Sequence, residues 1–188
     1  SFRFAHQAIP GFEETFAKSV NARYALAFPY GRSCLYAFLK ALDLKGEVIM
    51  PAYSCVVVAN AVTMAGNVPV FADCAEGTFL MDLEKAMKKA TKKTNAIIPT
   101  SLFGYPVNIG KVKEFQERGI YVMQDSALAY LSEWEGTPVA KAGDAALYSM
   151  GIGKQLSTIT GGMLTTDNDE IYQKVRQFRD RVFFNNSL

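Results

Sequence analysis

Asp144-Ala-Ala-Leu-Tyr-Ser149-Met-Gly-Ile-Gly-Lys154-Gln-Leu-Ser-Thr-Ile-Thr-Gly161-Gly162-Met163 is the stretch on which the reading of this chain turns. It predicts a strand closing at Ser149, a glycine-flanked loop with a lone lysine in apolar company, and a second strand opening at Gly162. Lysine is costly to desolvate, so one held among small residues invites a chemical reason, and a freed amine suits Schiff-base work. Upstream, Gly119-Ile-Tyr-Val-Met-Gln-Asp125-Ser-Ala predicts another strand that ends in an aspartate.

Outward from there, apolar runs bounded by turn residues alternate with amphipathic stretches. Strands are predicted over Glu47–Pro51, Val68–Ala72, Asn95–Pro99, Ile120–Gln124, Ala145–Tyr148 and Gly162–Thr165. Helices are predicted over Gly31–Leu42, Asp82–Ala90, Asn108–Arg118 and Asp169–Arg181. A further helix is predicted over Ser54–Ala65, with Ser54 as its N-cap and Gly66 as its stop; Asp82 caps the one it opens. Strands and helices alternating at this pitch indicate an α/β fold of three layers, a mostly parallel sheet with helices on both faces. With no repeat, linker or low-complexity segment, residues 1–188 read as one domain. Ligands of such sheets bind outside the carboxyl ends of the strands. Pro51-Ala-Tyr53, Thr100-Ser-Leu-Phe103-Gly104, Asp125 and Ser149 each follow a strand and are expected to share one rim.

At 188 residues the chain is long enough for one well-buried domain, and 49% hydrophobic against 20% charged residues argues against disorder. A net charge of +2 compels no nucleic-acid or acidic-membrane partner. The longest apolar stretch, Ala52–Ala65, is broken by Ser54, Asn60 and Thr63, so no membrane span is expected, and the first residues lack the regions of a signal peptide. Cys34, Cys55 and Cys74 are odd in number and widely spaced, which fits reduced thiols in a cytoplasmic protein.

Three features carry chemistry. Gly31-Arg32-Ser33-Cys34-Leu35 opens a helix whose first backbone N–H groups form an anion site suited to phosphate; the plainer alternative is Ser33 as an N-cap. Asp125 is placed to hold a ring nitrogen protonated, though a helix cap or turn would use the same residue. Lys154 with Ser149 and the paired glycines completes a set that matches pyridoxal 5'-phosphate (PLP), which needs a carboxylate for its pyridinium nitrogen and an amine for its aldehyde. The single histidine, His6, lies near an end, so Ser-His-Asp hydrolysis and a His-based metal site are not expected. Asp73, Asp82 and Glu84 read as caps and solvated faces rather than metal ligands, and Lys88, Lys89, Lys92 and Lys93 as a solvated helix end.

With these residues in place, the chain resembles the DegT/DnrJ/StrS-type sugar aminotransferases, PLP enzymes of fold type I, from about Tyr24 to Arg181. The matching blocks run in order: Gly31-Arg-Ser-Cys-Leu, Glu47-Val-Ile-Met-Pro-Ala-Tyr-Ser, Ala65-Gly-Asn-Val-Pro-Val-Phe-Ala-Asp73, Phe103-Gly-Tyr-Pro, Gln124-Asp-Ser-Ala127, Gly143-Asp-Ala-Ala-Leu-Tyr-Ser149, Gly153-Lys154 and Gly161-Gly-Met. The resemblance implies that Lys154 is the Schiff-base lysine, that Asp125 pairs with the pyridinium nitrogen, and that Ser149 with the backbone of Arg32 and Ser33 holds the phosphate. It implies transfer of an amino group, commonly from glutamate, to a keto group of a nucleotide-linked sugar, by a homodimer. Three departures stand out: Cys55 replaces an aromatic ring that stacks on the cofactor, leaving either Tyr53 or Phe103 to substitute or the stacking weaker; Leu128 replaces Gln or His; and Ile159-Thr160 replaces Gly-Glu. A dehydratase is disfavoured, because the family's dehydratases carry histidine in place of the lysine. Members of the family continue into a small C-terminal domain, and this sequence stops at Asn185-Asn-Ser-Leu188, where that domain would begin. The rival readings are therefore a PLP enzyme for a non-sugar substrate and a truncated or non-catalytic PLP-binding domain.

Overall fold

The computed structural model describes residues 2–184, with side chains from Ala8 onward. The side chain of His6 and the segment Asn185-Asn-Ser-Leu188 lie outside the described residues. In chain order the elements are α1 (Phe2–Ser19), β1 (Tyr24–Phe28), α2 (Gly31–Ala41), β2 (Glu47–Pro51), α3 (Val56–Met64), β3 (Val68–Ala72), α4 (Leu83–Lys89) and β4 (Thr94–Ile97). There follow α5 (Ile109–Glu117), β5 (Tyr121–Asp125), β6 (Glu133–Trp134), β7 (Thr137–Pro138), β8 (Ala145–Ser149), β9 (Gly162–Thr166) and α6 (Asp169–Arg179).

Seven strands form one sheet in the order β1-β9-β8-β5-β4-β2-β3, and β6 pairs with β7 as a small separate hairpin. From β8 to β3 every pairing is parallel, while β9 runs antiparallel to both β8 and β1. The mostly parallel sheet read from the sequence is therefore present, with an antiparallel edge.

Alternation along each strand explains why the sheet is covered twice. Val48 and Met50, Ile98, Met123, Leu147 and Leu164 pack with Leu35 and Phe38 of α2, Val62 of α3 and Val175 of α6. Their neighbours Ile49, Ile97 and Val122 pack on the opposite face with Ala86 of α4 and Val112 and Phe115 of α5. On that second face, Ala146, Tyr148 and Met163 meet Phe16 and Ala17 of α1. Fully burying each large side chain contributes about 1.5–3 kcal/mol, and a one-residue slip would swap the two faces, so the register is strongly held.

Several local expectations change. Ser54 is not a cap: α3 starts after Cys55, whose side chain makes no capping bond. Ser33 is not a cap either, since it lies inside α2, which follows Tyr30 without any side-chain cap. Asp82 and Asn108 do cap their helices, accepting from Glu84 and Lys85 and from Lys111 respectively. Gly66, at φ +90, stops α3 as expected. The sequence reading gave no element before Gly31, yet α1 and β1 are there; α1 runs across Pro10 and is anchored by Phe16 and Ala17.

Candidate active site

Parallel pairing from β8 to β2 delivers the ends of β8, β5, β4 and β2 to the same edge of the sheet. The strand-end residues singled out in the sequence thus converge on one rim. Because β1 runs in the same direction as β8, its end and the start of α2 reach that rim too.

Asp125 is the buried centre, only 4% exposed. Its backbone is fixed from both sides: its N–H donates to Pro99 O (2.8 Å), its carbonyl accepts from Ser101 N (3.0 Å), and Ser126 N donates to Leu147 O (2.9 Å). The side chain turns back so that Oδ1 accepts from Ala127 N at 3.0 Å. Burial pushes the carboxyl above its ordinary value, against the Ala127 N–H and the positive charge of Lys154, which pull it down, as does the neighbouring Thr100 hydroxyl more weakly.

Beside it Thr100 Oγ1 has no well-formed hydrogen bond, and neither do Gln124 Oε1 and Ser126 Oγ on the two residues flanking it in the chain. Each such atom costs roughly 1–3 kcal/mol if left dry. Gln124 does use its other end, donating to Ser101 Oγ (3.1 Å) and to the Asp125 carbonyl (3.2 Å). A polar ligand or solvent next to Asp125 would relieve the Thr100 hydroxyl.

Two strands away, α2 begins with no side chain over its first N–H groups. The Ser33 N–H donates to Tyr30 O (3.0 Å), so the N–H groups of Gly31 and Arg32 are the better-placed anion donors, a refinement of the sequence reading. The Arg32 guanidinium folds back over the Tyr30 ring, 4.0 Å from its centroid. Ser149 is half-buried directly against this turn; a Cβ built on Gly31 would lie 3.2 Å from the Ser149 Cβ. Cys34 is fully buried beneath it, and burial pushes its thiol up, so it stays neutral.

Lys154 follows β8 in the glycine-flanked loop expected to hold it in apolar company. It is half-buried, and its apolar neighbours face outward: Ile152 is 82% exposed and Ile159 72%. The loop is held by Lys154 N to Gly151 O (3.1 Å), by Thr158 N to Met150 O (3.0 Å), and by Gln155 Oε1, which accepts from Tyr130 N at 2.8 Å. That last bond ties the lysine loop to the segment just beyond Asp125. Sequence reasoning missed Gln155, and its only signal was adjacency to Lys154.

On the far side stand exposed aromatic rings from three loops. Tyr53 lies 5.9 Å from Phe79, and Phe79 lies 5.4 Å edge-on from Phe103. Phe103 adopts φ +56, a left-handed backbone that a bulky residue rarely takes. Phe79 was also missed; its aromatic character is visible in the sequence, but its approach to Tyr53 depends on the β3 loop. Asp73, Asp82 and Glu84 do not gather as ligands: Asp82 caps α4 and Glu84 bonds to Lys111. Among the described residues there is no group of three or more His, Cys, Asp or Glu that could hold a metal, and no helix is long and apolar enough to cross a membrane.

Known proteins are similar to this chain in sequence and fold. GDP-perosamine synthase of Escherichia coli O157:H7 is 30% identical over 174 residues, covering 91% of this chain and 48% of that protein. The crystal structure of DesI in the presence of its TDP-sugar product superposes with a TM-score of 0.88 at 28% identity, covering 94% of this chain and 45% of that one. NtdA from Bacillus subtilis with bound cofactor PMP superposes with a TM-score of 0.84 at 27% identity, over 92% of this chain and 40% of that one. The chain spans about half the length of the curated relatives it matches. With the sequence pattern of the DegT/DnrJ/EryC1/StrS aminotransferases matching residues 6–185, the chain belongs to that family.

Proposed function

We propose that residues 1–188 form the cofactor-binding domain of a PLP-dependent aminotransferase that moves an amino group, with glutamate as donor, onto the keto group of a nucleotide-linked sugar. The observation that carries this reading is Asp125: a buried carboxyl beside the unpartnered Thr100 hydroxyl, with the positive charge of Lys154 acting on it. An acid in that setting fits a protonated ring nitrogen better than it fits open solvent. Similarity to GDP-perosamine synthase, to DesI with its TDP-sugar product and to PMP-bound NtdA supports the substrate class and the cofactor.

When bound, PLP supplies an electron-accepting ring that stabilises negative charge on the substrate carbon bearing the amine. The chain's own residues supply the rest. Asp125 Oδ1 is oriented by the Ala127 N–H, which leaves Oδ2 for the ring nitrogen. The N–H groups at Gly31 and Arg32, with Ser33 and the Ser149 hydroxyl, hold the phosphate. Tyr53, backed by Phe79 and Phe103, walls one side of the ring. Lys154 would hold the cofactor's aldehyde end through its Nζ amine, and the same Nζ would move the proton at the substrate carbon. The outward-facing Ile152 and Ile159 suit cover by a second copy, making the working form a homodimer. Soluble sugar-nucleotide substrates and three free thiols fit the cytoplasm.

Borohydride reduction of the purified full-length protein with PLP, followed by peptide mapping, should put the pyridoxyl adduct on the peptide containing Lys154. An adduct only on other lysines rejects the assignment. Turnover with glutamate and a panel of nucleotide-linked keto-sugars tests the substrate class.

A further inference from the structure

Gly162 opens β9 and is paired on one side with Phe28 at the end of β1 and on the other with Ser149 at the end of β8. It is therefore the strand residue over which the chain crosses from β1 into α2. A Cβ built on Gly162 would fall 2.5 Å from Gly31 N, 2.5 Å from the Tyr30 carbonyl carbon and 2.6 Å from its oxygen. Those are backbone atoms, which cannot swing aside. Gly162 is not in a left-handed conformation, unlike Gly161 at φ +151, so alanine could adopt its backbone; what forbids a side chain is space alone. One layer up the contact is still tight: a Cβ on Gly31 would lie 3.2 Å from Ser149 Cβ and 3.3 Å from Tyr148 O. Two glycines thus bring the uncapped start of α2 down onto Ser149.

We propose that Gly162 is a positioning residue for the cofactor's phosphate, setting the first N–H groups of α2 and the Ser149 hydroxyl close enough to grip one phosphate monoester together. The inference rests on the reading of the site as a PLP site and adds to it the device that builds the phosphate seat. Any side chain at 162 lifts the α2 start away from Ser149 while leaving Asp125 and Lys154, on the β5 and β8 side, in place.

Comparing PLP with pyridoxal, which lacks the phosphate, isolates that effect. Affinities are read by absorbance titration on the full-length wild type and on three variants. In Gly162→Ala, PLP affinity should fall about 10- to 100-fold, the worth of one charge-assisted hydrogen bond, with pyridoxal affinity unchanged. Gly31→Ala, with its looser contacts, should show the same selective loss more weakly and covers the case in which Gly162→Ala does not fold. Gly143→Ala is the structural control. Its Cβ would meet Val122 Cγ1 at 2.5 Å and Val122 O at 2.6 Å, just ahead of β8 and away from the rim. It should lower the melting temperature and leave the PLP-to-pyridoxal ratio alone. Equal losses of PLP and pyridoxal in the two rim variants, or the same selective loss in Gly143→Ala, overturn the inference. A wild type that binds PLP no better than pyridoxal overturns the phosphate seat and the inference together.

Discussion

Asp125 and Lys154 follow neighbouring strands, β5 and β8, yet the two segments are built in opposite ways. Gln124, Asp125 and Ser126 are all at most 4% exposed and are locked by backbone bonds to β4 on one side and β8 on the other. The lysine loop is made of local turns, carries its apolar side chains outward, and has one long-range side-chain bond, through Gln155. The sheet alone can prepare the acid; it cannot prepare the amine. A rigid, buried partner for a ring and an adaptable, half-open nucleophile are what a group that must bind, release and rebind its ligand requires.

The largest effect should come from the rigid segment. Asp125→Asn keeps the shape and the Ala127 contact but removes the charge that the proposed function assigns to keeping a ring nitrogen protonated. Half-transamination by glutamate should slow about 100- to 1,000-fold, comparable to loss of one preorganised electrostatic group, while borohydride still traps Lys154. Without cofactor the same change has the opposite sign. The folded state raises this carboxyl, so the stability it gives is full below its ordinary value of 3.8 and is lost as pH rises through the raised value. Melting temperatures of the cofactor-free proteins should therefore shift in favour of the variant across that window. A difference that moves toward wild type with rising pH would mean that the Ala127 N–H and Lys154 outweigh burial.

The loop should yield a smaller and kinetic effect. Gln155→Ala removes the bond to Tyr130 N, worth about 1 kcal/mol, and lets the lysine sample positions away from Asp125. Covalent uptake of PLP should slow about fivefold, the rate equivalent of that energy, with the melting temperature little changed. Gln155→Glu keeps the accepting oxygen and should restore the rate. Equal behaviour of the two variants would show that the loop is placed by its backbone turns instead.

The difference between the segments also decides what could be read from the sequence. Ile120–Gln124 and Ala145–Tyr148 are legible because residues buried on both faces make short continuous apolar runs between turn residues. The same logic placed Asp125 and Ser149 on a common rim, which follows from strand direction alone. Burial of the lysine loop was misjudged because small and apolar neighbours look alike whether they face the core or solvent; Ile152 and Ile159 face solvent. α1 went unread because Pro10-Gly11 looks like a break, and only the packing of Phe16 and Ala17 onto Tyr148 and Met163 overrides it. β1 went unread because Tyr24-Ala-Leu-Ala-Phe28 is short and two of its five residues are alanine. The Gly162 approach was out of reach, since it joins Gly162 to Gly31, 131 positions apart, across the β1–β9 pairing.

The smallest expected effect lies at Ile159, where the loop breaks a backbone rule. A β-branched residue there adopts φ +70, a region that strongly favours glycine, and the side chain is 72% exposed, so little packing among the described residues compensates. Ile159→Gly should relieve strain of roughly 1–3 kcal/mol, partly offset by the added freedom glycine gives the unfolded chain. A net gain of about 1 kcal/mol in urea unfolding of the monomer is expected. If a second copy covers Ile159, the same variant should weaken self-association in sedimentation, so that stability gained by the monomer is lost by the dimer. A gain seen at every protein concentration would assign the isoleucine no partner, and a loss at every concentration would show that the left-handed turn carries no strain to relieve.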